Sequence, residues 1–98
     1  METSEPDWEL VVTFINNTLK DVTSFVAGIN KEAVNYYVNY SEYEMAFEIL
    51  FLEIMKFPRM SFIDCDKALD FALLMKLNTH TVYDDCFFEK LVDYCTTD

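Results

Sequence analysis

The chain is poor in the residues that flexible loops and catalytic centres draw on. Its 98 residues include one glycine, two prolines, one histidine, three cysteines and seven basic residues. A single glycine excludes the phosphate-cradling loops in which backbone N–H groups must approach a ligand closely. It also leaves little room for the positive-φ turns of tight hairpins. A lone histidine excludes triads and zinc sets that need a second imidazole. Cys65, Cys86 and Cys95 form no Cys-x-x-Cys pair and have no neighbouring histidine. They read as small buried apolar residues of a reducing compartment, with no redox or metal role.

Long apolar runs are missing too. Ile49 to Leu52 and Phe71 to Met75 are bounded by Glu53, Asp70 and Lys76, far short of the ~20 apolar residues that span a bilayer. The opening Met1 to Trp8 is acidic and polar, unlike the basic and then apolar regions of a secretory signal. The expectation is a cytoplasmic protein that makes no membrane contact.

What the chain does have is negative charge and apolar bulk. Eighteen acidic residues set against the seven basic ones give −11, while 52% of the residues are hydrophobic and 16% aromatic. That balance supports a packed core, unlike an acidic disordered tail. It also repels phosphate backbones, so no direct nucleic-acid partner is expected. The length fits one domain, residues 1–98.

Punctuation divides the chain into five helical segments. Pro6 suits a first turn capped by Ser4 or Glu5, followed by a stripe of Trp8, Val11, Val12, Ile15, Leu19, Val22 and Val26. Gly28 then stands where a left-handed C′ residue is wanted. Asn30 caps a second segment through Val38, with Glu32 in its first turn. Val34 to Val38 has strand propensity, but a lone strand has no partner here. Ser41 and Glu44 form a capping box for a third helix running through Phe57 to Pro58. Its apolar residues cover more than half its circumference, the pattern of a central helix. Ser61 and Asp64 repeat the capping logic for a fourth segment, Asp64 to Leu77, which is apolar nearly all round and is expected to be the most buried. Thr79-His80-Thr81 is a linker, and Thr81 with Asp84 caps a last helix facing inward through Phe87, Phe88, Leu91, Val92 and Cys95. The predicted fold is all-α, a single compact bundle of about five helices joined by short links.

No chemistry-bearing constellation emerges, so neither catalytic residues nor cofactors are assigned. His80 is the only conventional base and lies in a polar linker, without a nucleophile turn. Asp64, Asp66, Asp70, Asp84 and Asp85 are hard oxygen donors, but they lack the glycine turn and closing glutamate of a calcium loop. Several stand where first-turn acids complement a helix dipole. A paired-carboxylate glycosidase needs a cleft that a small bundle does not supply.

One stretch stands apart. Residues 32–55 carry Glu32, Glu42, Glu44, Glu48 and Glu53 with no lysine or arginine, and four of the six tyrosines: Tyr36, Tyr37, Tyr40 and Tyr43. Tyrosine offers contact area with a polar tip, and carboxylates beside it steer and register a basic partner. The expected partner-binding set is Tyr36, Tyr40, Glu42, Tyr43, Glu44 and Glu48. The bland alternative is a solvated helix face with tyrosines on the core rim.

The segment Tyr40-Ser-Glu-Tyr-Glu-Met-Ala-Phe-Glu-Ile-Leu50 resembles the small helical immunity proteins of bacterial toxin systems, namely contact-dependent growth inhibition immunity proteins and the MafI-like group. Glu42, Tyr43, Ala46, Phe47 and Leu50 match the group's pattern, and Ser41 stands where a glycine commonly precedes the Glu-Tyr pair. The resemblance implies an antitoxin that binds one cognate toxin, often a nuclease, and blocks it without doing chemistry. The expectation is therefore a monomeric, non-enzymatic inhibitor whose acidic surface occludes a basic active site or substrate groove. The alternatives are a phage-type DNA mimic or anti-restriction inhibitor, and a non-catalytic oligomerisation or adaptor module.

Overall fold

Asp7 opens the first helix. Its carboxylate accepts hydrogen bonds from the N–H groups of Glu9 (3.2 Å) and Leu10 (3.4 Å), satisfying donors that no helical carbonyl reaches. The computed structural model describes residues 7–96, so Ser4, Glu5 and Pro6, the expected start signals, lie outside the described residues. The cap is Asp7. Five helices follow: α1 (Trp8–Phe25), α2 (Lys31–Asn39), α3 (Tyr43–Ile54), α4 (Cys65–Leu74) and α5 (Phe87–Thr96). The described residues contain no strand, and residues 34–38 are helical. The architecture is an all-α bundle, as the spacing predicts.

The core is built around α3. Its Ala46, Phe47, Leu50, Phe51 and Ile54 are buried against the α1 stripe of Val11, Ile15, Leu19 and Val22. Aromatic contacts tie four helices together. Phe14 of α1 lies 6.2 Å from both Phe47 and Phe51 of α3 and 5.1 Å from Phe71 of α4. Phe47 meets Phe87 of α5 edge-on at 6.4 Å, the separation such pairs favour.

The most buried helix is thus α3. The expectation for α4 is corrected: it buries only Ala68 and Ala72, while Leu73 and Leu74 are 49% and 41% exposed. Two alanines let α4 approach closely along one narrow face, with Leu69 and Phe71 half-buried at its edges against the core, while Leu73 and Leu74 face away.

Helix ends show where local signals compete. Asn30 caps α2 as expected, accepting from Ala33 N at 3.1 Å, whereas Asp64, expected as a first-turn acid behind a Ser61 cap, is itself the N-cap of α4 and accepts from Lys67 N at 3.1 Å. The Ser41 capping box does not form. Ser41 N–H donates to Val38 O (3.1 Å) and Glu42 N–H to Tyr37 O (2.8 Å), the two bonds of a Schellman closure of α2. That closure holds Ser41 at φ +59°, whereas an N-cap residue is normally extended. Glu42 becomes the N-cap of α3, with no side-chain cap bond. Lys76 closes α4 the same way at φ +63°, with Lys76 N–H on Leu73 O (3.0 Å) and Leu77 N–H on Ala72 O (2.8 Å).

Other ends shift for similar reasons. Gly28 is left-handed (φ +99°), but the C-cap of α1 is Val26 in extended backbone, so the glycine falls one residue beyond the expected C′ position. α3 stops at Ile54, α4 at Leu74, and α5 begins only at Phe87. Of the face expected for α5, Phe87 and Leu91 are fully buried and Phe88, Val92 and Cys95 half-buried.

A left-handed non-glycine residue costs about 1–2 kcal/mol relative to right-handed backbone. Ser41→Gly is therefore predicted to stabilise the fold by about 0.5–1 kcal/mol in urea unfolding. An unchanged or lower midpoint contradicts the Schellman reading.

Candidate functional site

The most consequential polar group lies inside the protein. Glu48 projects from the buried side of α3 and is fully buried. A carboxylate removed from water costs several kcal/mol unless hydrogen bonds replace its hydration. Three consecutive backbone N–H groups do so, each at 2.9 Å. Val82 donates to Oε1, and Tyr83 and Asp84 donate to Oε2. Successive amides turned toward one anion make a concave donor set, and here the anion is a side chain of the same chain. Among the described residues no buried side-chain nitrogen or oxygen lacks a partner.

This interaction fixes residues 82–84, so the expected Thr81 cap does not arise. Asp84 shapes the turn before α5 instead, accepting from Cys86 N (2.8 Å) and Lys90 Nζ (2.6 Å). The Lys90 ammonium and the Cys86 N–H hold the Asp84 carboxyl below the usual range, and Asp84 in turn raises Lys90.

The fixed loop carries Tyr83 to α2. Its hydroxyl is hydrogen-bonded to that of Tyr37, and the rings lie 6.1 Å apart. Tyr36 meets Tyr37 edge-on at 5.3 Å and Tyr40 at 4.8 Å. Four tyrosines from two distant segments therefore form one continuous surface. Tyr36 and Tyr40 are 57% and 65% exposed, and clustered exposed aromatics mark contact surfaces. The Tyr83 ring is partly open, but its hydroxyl end sits against Tyr37. Desolvation there, the Tyr37 hydrogen bond and the nearby charges of Tyr37 and Glu48 push its phenol up to about 12.

Carboxylates adjoin this surface. Glu32 precedes Tyr36 by one helical turn on the same side of α2. Glu42 is exposed at the foot of α2, where its N–H donates to Tyr37 O, and Glu44 is exposed in the first turn of α3.

The expected contact set therefore divides. Tyr36 and Tyr40 are brought together, and Glu42 and Glu44 are exposed near them in the chain. Tyr43 is half-buried, its ring 5.5 Å from Trp8 and its hydroxyl donating to Ser41 Oγ at 3.3 Å, so it ties the start of α3 to α1. Glu48 is corrected: it is buried and both its oxygens are occupied by backbone, so it is unavailable to a partner. Glu53 is also engaged, accepting from Asn30 N (3.0 Å) and Lys56 Nζ (2.8 Å). Tyr37 and Tyr83 join the site although the sequence did not single them out as contacts. Tyr37 lies in the tyrosine-rich stretch, but nothing local connects Tyr83 to it.

No group of three or more His, Cys, Asp or Glu side chains among the described residues is placed to hold a metal ion. His80 is exposed in its linker, and the burial expected of the cysteines is corrected: Cys86 is exposed in the turn before α5, and Cys65 and Cys95 are half-buried. No described helix is long and apolar enough to cross a membrane. No family model matches the sequence, and no curated protein or solved structure matches it significantly.

Glu48→Gln replaces an acceptor oxygen with a donor facing N–H groups. It is predicted to destabilise the protein by about 2–4 kcal/mol, whereas Glu44→Gln stays within about 0.5 kcal/mol; urea unfolding of both variants checks this. A phenol raised in the folded state retains its proton after the unfolded chain has lost it. Its contribution to stability is therefore complete below pH 10 and is lost as pH rises towards 12. Burial raises the Tyr94 phenol as well, so phenolate absorbance during alkaline titration should show a late-ionising fraction that shrinks by one tyrosine in Tyr83→Phe.

Proposed function

We propose that this chain is an immunity protein, a non-catalytic antitoxin that binds a cognate toxin domain and covers its basic active site or substrate groove. The observation that carries the reading is the tyrosine surface of Tyr36, Tyr37, Tyr40 and Tyr83, exposed at Tyr36, Tyr40 and Tyr83, with Glu32, Glu42 and Glu44 carried by residues 32–55, which hold no lysine or arginine. Rigid aromatics supply contact area at small entropic cost, and the carboxylates supply steering and register against a cationic surface. A net charge of −11 opposes compaction of the chain itself, and a cationic partner gives that charge a use. A basic nuclease is the partner of matching chemistry, because it carries cations to hold phosphate.

The resemblance of residues 40–50 to the growth-inhibition and MafI-like immunity proteins agrees with this reading. In this reading the protein acts as a cytoplasmic monomer. Tyr36 and Tyr40 are anchors, Glu42 and Glu44 pair with lysine or arginine, and Glu48 holds the surface in shape from within.

The test is binding to the product of the adjacent upstream gene. Association should slow steeply with added salt. Glu42→Lys with Glu44→Lys should weaken binding by at least about tenfold, and Tyr36→Ala with Tyr40→Ala by about 2 kcal/mol or more. Asp66→Lys with Asp70→Lys should have a much smaller effect. A salt-independent on-rate, or greater sensitivity at Asp66 and Asp70, contradicts the proposal. A stable homo-oligomer burying Tyr36 and Tyr40 would favour an adaptor role.

A further inference from the structure

We propose that Phe25, Phe62 and Asp21 form a second interaction site, an aromatic corner that takes an arginine side chain from a partner protein. This inference is independent of the immunity reading. The site lies at the far end of α1 from the Trp8–Tyr43 contact, about 25 Å along the helix.

The corner is built from two segments. Phe25 is the last residue of α1, and Phe62 sits on the turn between α3 and α4. The buried side chains of Met60 and Ile63 anchor that turn, and Ile63 N–H donates to Met60 O at 3.1 Å, so Phe62 between them is held outward. The two rings meet edge-on, with centroids 5.3 Å apart and planes at 73°. They nevertheless stay 66% and 42% exposed. Asp21 precedes Phe25 by one helical turn on the same side of α1. With Ser24, these three residues line an open cavity of about 350 Å³.

The charge at the cavity is negative. Neither ion pair of the described residues, Lys56–Glu53 or Lys90–Asp84, includes Asp21. Lys20, its neighbour in the chain, lies about 100° around the helix from it. The last turn of α1 has no basic residue, and beyond Val26, whose N–H donates to Val22 O, no backbone N–H returns to it. Its open carbonyls are the negative end of the helix dipole.

These features select the occupant. An apolar side chain would bury the Asp21 carboxylate without a partner, and an anion is repelled. A cation satisfies both the ring faces and the carboxylate. Arginine fits better than lysine, because its planar guanidinium stacks on a ring while its in-plane N–H groups pair with a carboxylate, and it is the more weakly hydrated cation. An open cavity covers only part of a ligand. The surface that carries the arginine must cover the rest, so the occupant is a protein side chain rather than a free small molecule.

The test titrates the full-length protein with N-acetyl-arginine N-methylamide in about 150 mM salt, which screens diffuse attraction, and follows the aromatic ring resonances by NMR. Those of Phe25 and Phe62 should shift and saturate with a Kd on the order of 10 mM. Asp21→Asn should weaken binding about fivefold and Phe62→Ala at least as much, while Tyr36→Ala leaves it unchanged. The lysine analogue should bind at least about threefold more weakly, and the neutral citrulline analogue should give no saturating shift. Shifts centred on Tyr36 and Tyr40 with Phe25 and Phe62 unmoved, equal binding of the lysine or citrulline analogue, or an unchanged Kd in Asp21→Asn overturn the proposal.

Discussion

A buried carboxylate held by three backbone amides organises the accessible face of this protein. Glu48 sits on the side of α3 where an apolar residue would ordinarily pack, and the amides of Val82, Tyr83 and Asp84 take the place of its hydration. The bond set joins the central helix to a loop more than thirty residues away in sequence. Without it, residues 82–84 would have unsatisfied donors near the core, and Tyr83 would have no fixed approach to Tyr37. The tyrosine surface depends on this interior contact as much as on α2. A surface fixed before encounter binds with less loss of conformational freedom, which is the advantage of preorganisation.

The remaining acids divide by task. Asp7 and Asp64 cap helices, Asp84 sets the turn into α5 and pairs with Lys90, and Glu53 ties the start of α2 to α3. Each is satisfied within the chain and contributes to folding. Glu42 and Glu44, exposed in the link and first turn after α2, have charge to offer a partner. The surplus of negative charge is therefore partly architectural, and the share available for recognition is smaller than composition alone suggests.

Much of the fold was legible in the sequence because it is written locally. The three-and-four spacing of Val11, Ile15, Leu19 and Val22 marks the buried stripe of α1, and Asn30 sits at the end it caps. What escaped depends on competition or distance. Ser41 matches a capping box, yet the closure of α2 claims its N–H and that of Glu42 and forces it left-handed. The apolar circumference of α4 promised burial that a peripheral helix packed through two alanines does not achieve. Tyr36 and Tyr40 were readable as a cluster, being one helical turn apart. Glu48 read as one more surface acid of α3, because its amide partners lie in a loop with no recognisable anion-binding signature. Tyr83 was missed for the same reason.

Amide hydrogen exchange of the chain, alone and mixed with the toxin domain proposed as its partner, would test the contact surface most directly. The account predicts added protection concentrated in residues 32–44 and 82–84, with α4 little changed. Protection concentrated in residues 62–74, leaving the tyrosine surface exchanging as in the free protein, would contradict it.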